Sequence, residues 1–86
     1  MKSRDTIIME LLNSASSLCG AIKSKKDASV FGYVVKQIMA VAINNDGTVY
    51  YCGWLRNNSE TWDATRILDK VMCDYNREIL EAQNGV

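Results

Sequence analysis

The sequence predicts a small α+β domain, a two-layer α-β-β-α arrangement in which an antiparallel β-hairpin is flanked by two amphipathic helices. Three observations carry that expectation. Val34–Ile43 and Thr48–Leu55 are apolar, β-branched and aromatic runs on either side of Asn44-Asn45-Asp46-Gly47, and Asp-Gly between such runs is a strong hairpin signal. Apolar residues recur at helical spacing before this stretch and again after it. The 86 residues are enough for one modest core, so residues 1–86 are expected to form a single domain.

The first helix is expected from about Arg4 to about Ser24. Ser3 or Asp5 supplies an N-cap oxygen for the unpaired N–H groups of the first turn. Ile8, Leu11, Ala15, Leu18 and Ile22 fall on one stripe, widened by Ile7, Leu12 and Cys19. Ser14, Ala15, Ser16, Ser17, Gly20 and Ala21 give the helix a flank of small residues, read as a solvated serine face. Lys23, Lys25 and Lys26 then fall at its C-terminus, where cations complement the negative end of the helix dipole.

From Ala28 the period changes to two. Phe31, Tyr33, Val35, Gln37, Met39, Val41 and Ile43 alternate with Gly32, Val34, Lys36, Ile38, Ala40 and Ala42, which reads as a long strand with a bulge or bend at Gly32. With Asp46-Gly47 as a two-residue turn, Ile43 pairs with Tyr50, Val41 with Cys52 and Met39 with Trp54. A four-residue loop Asn44–Gly47 shifts the pairs but leaves every residue on its face. One face is then bulky (Met39, Val41, Ile43, Tyr50, Trp54) and the other is small (Ala40, Ala42, Gly53).

The second helix is expected from about Glu60 to about Gln83, capped by Ser59. Its apolar stripe is Ala64, Leu68, Val71, Tyr75, Ile79 and Ala82, with Ile67 and Met72 at the margins and i,i+4 pairs Lys70–Asp74 and Arg77–Glu81 on the outside. Charge divides between the ends of the chain. Residues 1–26 hold five basic and two acidic side chains, and residues 57–86 three basic and six acidic, so the two helices attract.

A two-stranded hairpin is marginal in water, and both strands present edges with unpaired N–H and C=O groups, guarded only by Lys36 and Arg56. Helices on opposite faces of one hairpin, or a third strand from Ala28–Tyr33 beyond Gly32, would resolve this, but a homodimer in which two hairpins join into a four-stranded sheet is expected, because it alone buries both an edge and a face.

Function classes fall away by composition. Ten basic residues balance ten acidic ones, which gives no overall electrostatic pull toward nucleic acid or anionic membrane. The apolar runs are too short to span a bilayer, and Asp5 and Glu10 interrupt the only one near the N-terminus, against a signal peptide. Three cysteines without C-x-x-C spacing fit reduced thiols, so a cytoplasmic location is expected. The chain has no histidine, the commonest general base and metal ligand, and no phosphate-loop motif, so neither an enzyme nor a cofactor or metal is expected.

What is left is a small protein-binding module: an adaptor, regulator or inhibitor of a partner protein. Its candidate contact residues are Tyr50 and Tyr51 beside the turn, and Trp54, Arg56 and Trp62 around the polar connector, because Trp, Tyr and Arg dominate binding hot spots. The alternative is a nucleic-acid-binding module that uses a basic patch of Lys23, Lys25, Lys26 and Lys36 with stacking on Phe31, Tyr33, Tyr50 and Tyr51. A third reading is a small-molecule enzyme with its site between subunits.

Overall fold

A computed structural model of the protein describes residues 2–19, 25–52 and 62–84. The elements are α1 (Arg4–Cys19), α2 (Lys25–Met39), β1 (Val41–Ile43), β2 (Val49–Tyr51) and α3 (Trp62–Asn84). The α+β layout and the antiparallel hairpin are as expected, but a third helix stands where a long strand was read.

The Ser3 cap at the start of α1 is present. Its Oγ accepts from the Thr6 N–H at 3.3 Å, and its carbonyl accepts from the Ile7 N–H at 3.1 Å. The buried line is Ile7, Leu11 and Ala15, with Ile8 and Leu12 packed at its margin. Leu18, expected in the stripe, is 45% exposed. Its neighbours on the outer side, Asn13, Ser14 and Ser17, are exposed as a serine-rich face would be.

Helix α2 occupies the stretch whose alternation suggested a strand. Val30, Val34 and Ile38 satisfy a helical period as well as a period of two, because positions four apart share a face in both. Val34 and Ile38 are fully buried, and Val30 and Tyr33 pack against them. Packing against α1 and α3 outweighs the strand preference of these β-branched and aromatic residues. Gly32 is no bulge. It lies on the exposed side of the helix, where an added Cβ would meet nothing within 4 Å. The helix origin of this segment also moves the lysines: Lys25 and Lys26 open α2, at the positive end of its dipole, where they gain none of the stabilisation expected at a C-terminus.

Helix α3 runs close to its expected span. Ala64, Leu68, Val71 and Met72 are buried and Tyr75 packs against them, but Ala82 is exposed. Lys70 pairs with Asp74 at 3.3 Å as expected, whereas Arg77 turns back to Asp74 at 2.6 Å instead of reaching Glu81. These pairs are exposed, and pairs of that kind contribute little.

The three helices pack on one another, and the hairpin lies beside α3. Its register is Val41↔Tyr51, Ala42↔Tyr50, Ile43↔Val49, one residue away from either expected pairing. The reason is a three-residue loop, Asn45-Asp46-Gly47. The Asn44 N–H donates to the Thr48 carbonyl at 2.8 Å, the Gly47 N–H donates to the Asn44 carbonyl at 3.0 Å, and Gly47 sits at φ 90°. Asp46 Oδ1 closes the loop by accepting from the Thr48 hydroxyl at 2.6 Å and its N–H at 3.0 Å, which holds the carboxyl below the usual carboxylate range. A shift of one residue exchanges faces on one strand relative to the other. Val49 therefore joins Val41 in the core, and Tyr50 turns outward.

Two glycine substitutions check this fold from opposite directions. Gly32→Ala replaces an exposed mid-helix glycine and should stabilise the domain by about 0.5–1 kcal/mol, read as a higher urea midpoint; a lower midpoint would restore the strand and its bend. Gly47→Val places a β-branched residue in the left-handed region and should cost about 1–3 kcal/mol. Because the nearest atom to a Cβ there, Ile79 Cγ2, is at an ordinary 3.7 Å, an unchanged midpoint would mean that the loop does not need positive φ.

Candidate functional site

The hairpin is the part of the molecule with distinct surfaces. Alternation places Val41, Ile43, Val49 and Tyr51 on its inner face, all of them buried or packed against the core. Ala40, Ala42, Tyr50 and Cys52 take the outer face, and the Cys52 N–H donates to the Ala40 carbonyl at 2.8 Å, which extends the pairing by one step. Tyr50 is 48% exposed, Ala40 and Cys52 are exposed, and Met39, just before Ala40, is 64% exposed. The outer face is a small apolar platform with one aromatic ring.

Both edges of the hairpin are occupied by side chains from the helices. On β1, the Arg4 guanidinium donates to the Val41 carbonyl at 2.7 Å and to the Met39 carbonyl at 3.1 Å. On β2, the Val49 N–H donates to Asn76 Oδ1 at 2.7 Å while Asn76 Nδ2 donates to the Val49 carbonyl at 2.9 Å. Beside the expected Lys36 and Arg56, Arg4 takes the outward carbonyl of Val41 and Asn76 takes both outward groups of Val49.

Asn76 is the middle of three contacts spaced seven residues apart on α3. Asp69 accepts from the Tyr51 hydroxyl at 3.0 Å, and Gln83 Nε2 donates to the Asp46 carbonyl at 2.6 Å. Seven residues are two helical turns, so 69, 76 and 83 share one side of α3 and follow the hairpin from β2 to its loop. Burial and the Asp69 carboxylate together push the Tyr51 phenol well above its ordinary range.

The expected contact residues are dispersed. Tyr50 and Tyr51 lie on opposite faces, Tyr50 open and Tyr51 half-buried. Trp54 and Arg56 lie outside the described residues, and Trp62 opens α3 with its side chain outside them too. Of the basic patch, Lys36 is exposed in the last turn of α2, Lys25 and Lys26 are placed by backbone alone, and Lys23 lies outside the described residues.

Arg4, Asn76 and Gln83 escaped the sequence reading. The one available signal was the seven-residue interval of polar groups at 69, 76 and 83 beside the apolar stripe. Nothing in the sequence marks Arg4, which reaches residues 35 and 37 positions away.

Between α1 and α3 runs an open groove of about 440 Å³ with Ser14, Ser17 and Leu18 on one wall and Asp74, Tyr75 and Glu78 on the other. The Tyr75 hydroxyl is buried without a hydrogen-bond partner, and this burial raises its pKa, with the nearby Glu10 carboxylate adding to the effect. Cys52 and Cys73 carry exposed thiols. Among the described residues no group of three or more histidine, cysteine, aspartate or glutamate side chains is placed to hold a metal ion, and no helix is long and apolar enough to cross a membrane. No protein-family model matches the chain, and no curated protein or solved structure is significantly similar to it.

The edge cap on β2 has a measurable cost of removal. Asn76→Ala strips both partners from Val49 and should lower stability by about 1–3 kcal/mol, and Asn76→Asp, which keeps the acceptor but sets a carboxylate oxygen against the Val49 carbonyl, should lower it as well. Urea denaturation of the three proteins checks both losses; an unchanged midpoint for the alanine variant would mean the cap contributes nothing.

Proposed function

We propose that the protein is a non-enzymatic protein-binding module, an adaptor, regulator or inhibitor of a partner protein, that self-associates through the outer face of its hairpin. The observation that carries this reading is the open platform of Ala40, Ala42, Tyr50 and Cys52, continued by Met39. Contiguous exposed apolar groups mark interaction surfaces, and tyrosine is prominent among hot-spot residues. Tyr50 stands directly across from Ala42, a projecting ring beside a shallow site. A two-fold axis between two such faces seats each Tyr50 over the other copy's alanines, which makes the surface self-complementary.

The Arg4 contact on β1 and the Asn76 pair on β2 support the face over the edge as the meeting point, in place of a shared four-stranded sheet. The exposed thiols of Cys52 and Cys73 fit a reducing compartment and support a cytoplasmic location. The nucleic-acid alternative draws less support. Tyr33 and Tyr51, two of its stacking groups, pack against the core, and of its basic patch Lys25 and Lys26 open α2 whereas Lys36 lies in its last turn.

Light scattering over a concentration series tests the proposal. The wild type should show a dimer mass, and Tyr50→Arg should shift it to a monomer with stability changed by less than about 0.5 kcal/mol, as for other surface positions. The same mass for both proteins would contradict self-association through this face.

A further inference from the structure

The Asn76 amide does for Val49 what a neighbouring strand would do. In an antiparallel ladder, a residue whose N–H and C=O both point outward exchanges two hydrogen bonds with one residue of the next strand. Asn76 supplies that same acceptor and donor, at 2.7 and 2.9 Å, from a side chain.

The half of α3 that carries this amide is lightly held. Met72 is the last buried residue of the helix, and every residue from Cys73 to Asn84 is half-buried or exposed. Sparse burial is the mark of a segment that opens at low free-energy cost. Tyr75 packs this half on the core, and the Asn76 pair, the Gln83 bond to the Asp46 carbonyl and the contact of Ile79 beside Gly47 retain it against the hairpin.

We propose that the outer edge of β2 at Val49 is a masked strand-addition site. An extended segment of a partner protein, running antiparallel to β2, takes the place of the Asn76 amide when the C-terminal half of α3 tilts away. Asn76 is then an autoinhibitory contact: it protects the edge against indiscriminate pairing and leaves it available to a segment of the right chemistry. That chemistry follows from the register. The residue opposite Val49 must offer both its N–H and its C=O, which excludes proline. Its side chain falls on the inner face next to Val49, which favours a β-branched aliphatic residue, while its neighbours point to the outer side and can be polar. The β2 edge is a different surface from the Tyr50 platform, and the proposal stands apart from self-association there.

The test uses the full chain and a capped heptapeptide of alternating threonine and valine with lysine at both ends, titrated while amide resonances are followed by NMR. The peptide should shift Val49 and Tyr51 in the wild type and bind Asn76→Ala about tenfold more tightly, because the competing side chain is gone. Asn76→Asp, whose second carboxylate oxygen repels the Val49 carbonyl, should also bind the peptide more tightly than the wild type, and it supplies the comparison should the alanine variant not fold. Equal affinities across the series overturn the masked edge, as do shifts confined to Ala42 and Tyr50 with Val49 unmoved. Association of Asn76→Ala beyond the wild-type mass without peptide, with Val49 at the new contact, overturns the partner segment in favour of a second copy. Each of these results is independent of the solution mass of Tyr50→Arg.

Discussion

The paired hydrogen bonds between the Asn76 side chain and the Val49 backbone are the constraint on which the hairpin depends. Two strands of three residues each cannot stand alone in water. Here the missing third strand is replaced by one amide on α3, aligned so that acceptor and donor reach the same residue. With Val49 held, its side chain must face the core with Val41, and Tyr50 must face out. Asp69 and Gln83 extend the attachment by two turns in each direction, so the helix sets both the position and the tilt of the hairpin.

The elements that could be read from the sequence were those with one dominant local signal. Ser3 begins α1 because its side chain caps, the apolar stripe of α3 runs uninterrupted from Ala64 to Tyr75, and Asp46-Gly47 makes a turn whatever surrounds it. Helix α2 was not legible because Val30, Val34 and Ile38 fit two periods at once, and the composition between Phe31 and Val35 favours a strand until the burial against α1 and α3 is known. The register was missed because Asp-Gly serves two loops of different length. The choice between them rests on Thr48, whose N–H and hydroxyl both go to Asp46. The edge caps join residues far apart in the chain, and only the seven-residue interval of 69, 76 and 83 on α3 hinted at one of them. Of the expected contact residues, Tyr50 is exposed on the outer face and Tyr51 half-buried on the inner one.

These corrections change what the molecule offers a partner. A hairpin with bare edges would pair with another strand at once, and the shared sheet would follow. In the proposed reading, a hairpin with Arg4 on one edge and Asn76 on the other meets a partner by its outer face first and by its β2 edge only at the cost of a polar exchange. The functional reading therefore rests on surfaces of unequal accessibility built around two short strands, with the core helices serving as their support.

The side-chain amide of Asn76 is the most direct place to measure whether this account holds. In a ¹⁵N-resolved spectrum of the wild-type protein its two Nδ2 protons should be distinct, exchange slowly with water, and show nuclear Overhauser contacts to the backbone of Val49 and Tyr50. An Asn76 amide that exchanges as fast as that of an exposed asparagine, with no contact to β2, would contradict the clamp and with it the orientation of the hairpin on α3.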